Sequence, residues 1–186
     1  MENEILFLTL ATVFGLFMAW GIGANDVANA MATSIGSKAL KIRDALIIAA
    51  IFEFAGAVLA GGEVTSTIRK GIVESGYFVT QPELLVYGML GALLAAGTWL
   101  LIASRQGWPV STTHSIVGAI IGFTVAAVGF DAVKWGKVGV IAASWVVSPM
   151  FSAAVAYAIY RSIAKFILDH ADPLGRARQL APIYVF

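Results

Sequence analysis

The sequence contains no cysteine and few charged residues. Of its 186 residues, 12% are charged and 59% are hydrophobic, whereas a soluble domain carries roughly 25% charged residues. The absence of cysteine excludes disulfide bonds and thiolate metal sites. The basic residues are scattered between apolar segments, which excludes a nucleic-acid-binding patch. A soluble fold of this size cannot hide so much apolar surface, so the composition predicts an integral membrane protein.

Long apolar runs are what the sequence has in abundance, with a mean hydropathy of +0.85. A helix needs about 20 mostly apolar residues to cross a bilayer. Several segments meet or approach this length without the alternation typical of barrel strands: 5–24, 45–61, 84–103, 110–130 and 138–160. A polar-punctuated stretch, 25–36, follows the first of them. The pattern predicts an all-α integral membrane protein with about five spanning segments, some of them broken.

The basic residues between these segments predict an orientation, because short cytoplasmic loops are enriched in lysine and arginine. If every segment crosses, one side carries the larger set: Lys38, Lys41, Arg43, Arg105, Arg161, Lys165, Arg176 and Arg178. The other side carries Arg69, Lys70, Lys134 and Lys137. We therefore predict an N-terminus outside the plasma (inner) membrane and a tail in the cytoplasm. A second copy fused behind such a unit would be inserted upside down, as in inverted-repeat transporters.

The same pattern predicts two regions along the chain. Residues 1–165 form a membrane domain that is a single repeat unit. Residues 166–186 form a cytoplasmic linker, and the apolar stretch at its end, 180–186, is the start of a truncated next helix.

Residues 21–30, with the sequence GIGANDVANA, place polar side chains at the end of the first apolar run. Glycine weakens a helix, and Asn25 and Asp26 are favoured N-caps, so we predict a break in the first spanning helix. A carboxylate inside a membrane is costly unless it is paired or hydrated, so Asp26 marks an ion pathway. With Asn29 and freed backbone carbonyls, it offers hard oxygen ligands suited to sodium. The alternative is an interfacial loop whose glycines serve only packing.

Residues 107–114, GWPVSTTH, predict a helix start inside the apolar region. Ser111 or Thr112 is a natural N-cap. Unpaired N–H groups and the positive end of the helix dipole form an anion site there. The hydroxyls of Ser111, Thr112 and Thr113 can donate to phosphate or sulfate oxygens. The alternatives are an ordinary capped helix start and a hydrolase using Ser111 and His114, for which no orienting third group is evident.

Glu53 lies in the middle of the second apolar segment, which contains no lysine or arginine to pair with it. Such a carboxyl group can bind a cation or carry a proton. The alternative is a structural acid that is hydrogen-bonded to a neighbouring helix. No second histidine lies near His114, since His170 is in the tail, so a transition-metal centre is not predicted.

Three stretches resemble the hallmarks of the inorganic phosphate transporter (PiT) family. They are residues 23–30, GANDVANA; residues 109–118, PVSTTHSIVG; and the surroundings of Glu53 at 49–56. The resemblance implies an inverted-repeat transporter in which each half supplies one copy of the signature. It implies symport of phosphate with sodium, or with protons in many bacterial, fungal and plant members. Members normally carry two repeats, so this chain corresponds to the N-terminal one.

The resemblance also implies which residues form the phosphate and coupling-ion sites: Asn25, Asp26, Asn29, Ser111, Thr112 and Thr113, with Glu53 close by. From the chemistry of the groups, we expect phosphate to contact Asn25, Asp26 and the three hydroxyls. We expect sodium or a proton to use Asp26, Asn29 and Glu53, with sodium itself at Asp26 and Asn29.

These expectations describe a transporter and not an enzyme, with no cofactor other than a coupling ion. The expected partners are phosphate, sodium or protons, the lipid bilayer, and a second repeat half or another copy of the chain. Two alternatives remain open at this point. One is a sulfate permease of the same family, and the other is a non-transporting half that requires a partner repeat.

Overall fold

The computed structural model describes residues 4–185, with the side chains at 63–65, 67–70 and 185 left undescribed. The described chain is helical, with one isolated antiparallel bridge between Val73 and Val133. The α-helices are α1 (Glu4–Gly36), α2 (Ile42–Gly71), α3 (Pro82–Gln106), α4 (Thr112–Ala127), α5 (Trp135–Ile163) and α6 (Pro173–Val185). Short 3₁₀ turns occupy Ser75–Phe78 and Phe130–Ala132, and a π-helical turn, Ala164–Leu168, continues α5.

Within the described residues, 4 helices are long and apolar enough to cross a membrane, namely α1, α2, α3 and α5. The prediction of an all-α integral membrane protein is confirmed. The fourth predicted segment, 110–130, forms a shorter helix of 16 residues, α4. At 1.5 Å per residue α4 is about 24 Å long, less than the roughly 30 Å of a bilayer core. Ser111 caps its start, and Gly129 follows its end with a φ of 121°.

The predicted break in the first helix is wrong. α1 runs for 33 residues through Gly21, Gly23, Asn25 and Asp26 without interruption. Its glycines keep a helical φ, and Gly21 is used for close packing: a Cβ there would lie 3.0 Å from Leu100 Cβ. The polar side chains, which we expected to cap a new helix, reach instead to the loop between α3 and α4.

Helices α1, α3 and α4 form the core of a first compact unit, 1–137. A cluster of Met18, Ala96 and Leu100 fills the contact between α1 and α3. The two backbones approach closely there, because each helix places a glycine against the other. Gly21 of α1 faces Leu100, and Gly97 of α3 faces the ring of Phe17. Small residues at a helix crossing are typical of membrane proteins, where packing rather than the hydrophobic effect drives association.

α2 packs against α1 through a narrow stripe that includes the buried Ala45 and Ala49. The rest of this helix is exposed and apolar, with Phe52 and Leu59 among its most accessible side chains. In a bilayer such a surface faces lipid or another apolar helix. The end of α2 is held near the turn after α4, where Ile72, Val73, Phe78 and Val133 are buried.

Residues 138–186 form a second compact unit, in which α6 packs against the π-helical turn at the end of α5. Ile167 in this turn is buried, and the hydroxyls of Ser162 and Tyr184 are hydrogen-bonded at 2.5 Å. α6 begins at Pro173 and therefore includes part of the predicted linker as well as the apolar stretch after it. The proposed division into a membrane domain, 1–165, and a tail, 166–186, stays a prediction.

Candidate functional site

The site begins on one face of α1. Gly21 and Asn25 are four residues apart, so they lie on the same side of the helix, and both are buried against α3. Leu100 and Ser104 have the same spacing on α3. Since Gly21 contacts Leu100, the next turn of each helix brings Asn25 towards the end of α3. The side chain of Asn25 is 4% exposed, which makes it a rare buried polar group in this unit.

The loop between α3 and α4 supplies the other side of the site. Gly107 caps the end of α3 in a left-handed conformation (φ 70°, ψ 25°), and its N–H bonds to the carbonyls of Ala103 and Ser104. Trp108 then donates its N–H to Ala103 O at 2.8 Å. These two bonds turn the chain back, so the carbonyl of Trp108 and the N–H of Val110 point towards α1.

Asn25 ties this loop to α1. Its Nδ2 donates to the carbonyl of Trp108 at 3.1 Å, and its Oδ1 accepts from the N–H of Val110 at 3.4 Å. The same oxygen accepts from Nδ2 of Asn29 at 3.0 Å. These hydrogen bonds are partly buried, and a backbone group that loses its partner away from water is costly. The amide of Asn25 satisfies two such groups with one side chain.

Asp26 meets the start of α4. The hydroxyl of Thr112, the first residue of that helix, donates to Oδ2 of Asp26 at 3.0 Å. Ser111 is the N-cap, and its Oγ accepts from the N–H of His114 at 3.3 Å. The positive end of the α4 dipole therefore lies beside a carboxylate, an arrangement that stabilises negative charge. The oxygen of the Ser111 hydroxyl thus serves as the cap of α4.

The structure brings four of the predicted site residues together: Asn25, Asp26, Ser111 and Thr112. Asn29 joins them at the edge through its bond to Asn25. Thr113 is exposed one position further along α4. Glu53 is exposed on α2, and among the described side chains the hydrogen bonds that build this site do not include it.

An open cavity of about 360 Å³ lies beside these bonds. Its polar lining comes from Asn25, Asn29 and Ser104, and small side chains such as Ala28 and Ala32 leave the space. Ser104 was not predicted. Its Oγ is buried, and within the described part of the chain it has no hydrogen-bond partner. The sequence does contain a signal for Ser104. It is a serine in the last turn of the apolar helix α3, four residues after Leu100, which packs against α1.

The cavity lining combines the amides of Asn25 and Asn29 and the hydroxyl of Ser104 with apolar groups, and its described residues include no basic side chain. Among the described residues, no three histidine, cysteine, aspartate or glutamate side chains are grouped as metal ligands. The carboxylate of Asp26 and the hydroxyl of Thr112 lie outside this lining and meet at the adjoining start of α4. Such groups suit a hard monovalent cation on one side and a tetrahedral oxyanion on the other.

The fold and the site define a multi-pass α-helical membrane protein with a cavity that carries amide and hydroxyl groups near the meeting point of two sequence motifs. The chain belongs to the phosphate transporter family, whose family model matches residues 22–186. The resemblance seen in the sequence is thereby confirmed. The chain is 52% identical over 176 residues to a putative phosphate permease of Haemophilus influenzae, and the match covers 95% of this chain and 42% of that protein.

A plant relative and a solved structure are also phosphate transporters. The chain is 50% identical over 180 residues to inorganic phosphate transporter 2-1, chloroplastic, of Arabidopsis thaliana, covering 96% of this chain and 31% of that protein. A solved structure, that of the sodium-dependent phosphate transporter, matches with a TM-score of 0.83 and 45% identity. That match covers 92% of this chain and 42% of the solved one. The chain thus spans less than half the length of these relatives.

Replacing Asn25 with alanine is expected to destabilise the fold by about 1–2 kcal/mol, because the carbonyl of Trp108 and the N–H of Val110 both lose a partly buried hydrogen bond. Asn29→Ala is the matched control, since the described hydrogen bond of its side chain is the one to Asn25, and its cost should stay below about 1 kcal/mol. Equilibrium unfolding in mixed detergent micelles measures both. Equal losses for the two variants would contradict the bridging role of Asn25.

Proposed function

We propose that this chain is the N-terminal half of a secondary transporter that couples inorganic phosphate to sodium, or to protons, by alternating access. The observation that carries the proposal is the hydrogen bond between Thr112 and Asp26, which joins the two motifs at the start of α4. The membership of the chain in the phosphate transporter family supports phosphate as the substrate. The similar solved structure is that of a sodium-dependent transporter, which supports sodium as the coupling ion.

Phosphate would bind at the start of α4. Its oxygens would accept hydrogen bonds from the hydroxyls of Ser111 and Thr113 and from N–H groups of the first helical turn. The Thr112 hydroxyl has a single proton, so it would donate to phosphate only after turning away from Asp26. The amide of Asn25 would hold the loop that carries these groups, through its bond to Trp108. Protonated phosphate can also donate a hydrogen bond to Asp26, whereas sulfate at neutral pH cannot. A direct contact to this carboxylate would therefore favour phosphate over sulfate.

Sodium would bind near Asp26, with Oδ1 of Asn29 as a second oxygen ligand. A carboxylate close to the start of α4 repels an incoming anion, and a bound cation removes this repulsion. Each ion therefore improves the site for the other, and this coupling is reciprocal. The second acid, Glu53, would carry a further cation or proton on the exposed face of α2, where a second repeat or a second copy of the chain would cover it.

The site would then lie between two inverted repeats near the middle of the plasma membrane, as in many secondary transporters. The N-terminus would be outside and the tail in the cytoplasm, following the distribution of lysine and arginine. The length of the relatives, of which this chain covers 42% in Haemophilus influenzae, is consistent with a partner half.

Radiolabelled phosphate uptake into proteoliposomes tests the proposal, with and without an inward sodium gradient and with excess sulfate. Sodium-driven uptake that resists sulfate is expected if the chain pairs with itself. Uptake driven only by a pH gradient would assign the coupling ion to protons. If folded protein shows neither uptake nor a sodium-dependent rise in its thermal midpoint with phosphate, this chain does not form the site alone.

Ser104→Ala separates a ligand role from a structural one. A buried hydroxyl without a partner destabilises the protein, so removing it should leave the thermal midpoint unchanged or raise it, by up to about 1 kcal/mol in stability. If the hydroxyl contributes to the cavity site, the additional stabilisation by sodium and phosphate should fall at the same time. A lower midpoint without ligands would instead show that Ser104 supports the fold.

A further inference from the structure

A second cavity lies wholly within the unit formed by residues 138–186, between the end of α5 and α6. Its volume is also about 360 Å³. The lining combines three nitrogen-bearing side chains, Lys165, His170 and Arg176, with apolar ones, Phe166, Leu180 and Ile183. It shares no residue with the cavity beside Asp26, and the proposed transport function does not use it.

The local fold explains how these side chains come together. The π-helical turn Ala164–Leu168 adds a residue to one turn of the helix, which shifts Lys165 and Phe166 around its axis. Asp172 then starts α6, because its Oδ1 accepts the N–H of Gly175 at 3.0 Å. The bond between Ser162 and Tyr184 holds the two helices together across the cavity. The cavity is therefore built before any ligand enters.

The cations of this cavity, Lys165 and Arg176, are exposed, and within the described part of the chain neither is paired with a carboxylate. The ammonium group of Lys165 lies 5.6 Å from the centroid of the Phe166 ring. The nearby Asp172 is engaged in capping α6. The remaining acid of the turn, Asp169, is exposed. Nδ1 of His170 accepts the N–H of Asp172 at 3.3 Å, so the ring proton of the neutral imidazole is on Nε2, which can donate to a ligand.

We propose that this cavity binds the phosphate group of an anionic membrane lipid. Lys165, Arg176 and Nε2 of His170 would donate to the phosphate oxygens. Phe166, Leu180 and Ile183 would contact the glycerol and the first acyl methylenes. Basic pockets at the cytoplasmic ends of membrane helices recognise lipid headgroups through this chemistry. A free phosphate ion offers the same oxygens, but it would gain nothing from the apolar half of the lining. The proposal is independent of what the chain transports.

The test is native mass spectrometry of the whole chain in detergent, titrated with phosphatidylglycerol or with phosphatidylcholine. We expect retention of one phosphatidylglycerol at concentrations where phosphatidylcholine is not retained. The double variant Lys165→Gln/Arg176→Gln should raise the apparent Kd for phosphatidylglycerol by at least about tenfold, because each interfacial cation contributes about fivefold. Inorganic phosphate in the millimolar range should not displace the lipid.

Arg178→Gln is the matched control for the single variant Arg176→Gln, since each removes one positive charge from an exposed position on α6 and Arg178 lies outside the cavity lining. Arg178→Gln should change the Kd by no more than about twofold, against about fivefold for Arg176→Gln. Equal losses for these two single variants would show diffuse surface attraction and overturn the proposal. Displacement by inorganic phosphate, or equal affinity for phosphatidylcholine, would overturn it as well. Lys165→Arg/Arg176→Lys keeps both charges and should retain the lipid, which excludes misfolding as the cause.

Discussion

Asp26→Asn is expected to lower sodium-driven phosphate uptake by about two orders of magnitude, the upper range of coupling between two ligands on one protein. The substitution keeps the size of the side chain and the acceptor for the Thr112 hydroxyl. It removes the negative charge that would attract the cation. The loss should therefore appear as lost sodium dependence, with the fold intact. Initial rates of labelled phosphate uptake, measured against sodium concentration in proteoliposomes, give the result.

The matched control is Asp44→Asn. Asp44 is an exposed acid in the first turn of α2, so the change in net charge is the same. Its uptake should stay within about twofold of the parent chain, because a charge outside the site is screened by salt. If Asp26→Asn transports as well as Asp44→Asn, the assignment of the coupling ion to Asp26 is wrong. If the chain needs its partner half for uptake, the same pair of variants is compared in the assembled protein.

Gly97→Leu is expected to reduce stability by about 3 kcal/mol or more, since overpacking of a tight contact typically costs 1–3 kcal/mol and here two helices must separate. A Cβ at Gly97 already lies 2.8 Å from the ring of Phe17 and 3.5 Å from the Cα of Met18. The backbone of α1 therefore blocks a larger side chain. The thermal midpoint and the unfolding free energy in detergent should both fall.

Gly91→Leu on the same helix is the control, because nothing lies within 4 Å of a Cβ there. It gains the same helix propensity without the clash and should be neutral or slightly stabilising. Equal destabilisation by the two variants would contradict the close crossing of α1 and α3. The crossing also sets the position of Asn25, so Gly97→Leu should weaken the stabilisation by sodium and phosphate together.

Local signals predicted much of this fold. The third segment, predicted at 84–103, is the helix Pro82–Gln106. A proline begins this helix and a left-handed glycine follows its end, and both are local signals. The capped start of α4 at Ser111 was expected from the proline and the hydroxyls near it. The fourth segment was drawn too long, since hydropathy counts Val110 and Phe130 although neither is in the helix.

The error in α1 has a different origin. Glycine and asparagine weaken an isolated helix, so local reasoning placed a break at residues 21–30. In the folded unit Gly21 packs against Leu100, and Asn25 bonds to a loop more than 80 positions away in sequence. These partners lie outside any local window. Ser104 escaped prediction for the same reason, because its place at the cavity depends on the crossing of two helices.

The unbroken course of α1 limits the movements that are available to the proposed alternating access. A helix of 33 residues is about 50 Å long and behaves as a stiff rod. Asn25 and Asp26 cannot swing on a hinge of their own, because every turn around them is hydrogen-bonded. The other side of the site is the connection through Gly107 and Pro109, which is not helical. In the proposed cycle, opening and closing would tilt α1 as a whole or move that connection, and either movement would break the bonds of Asn25 to it.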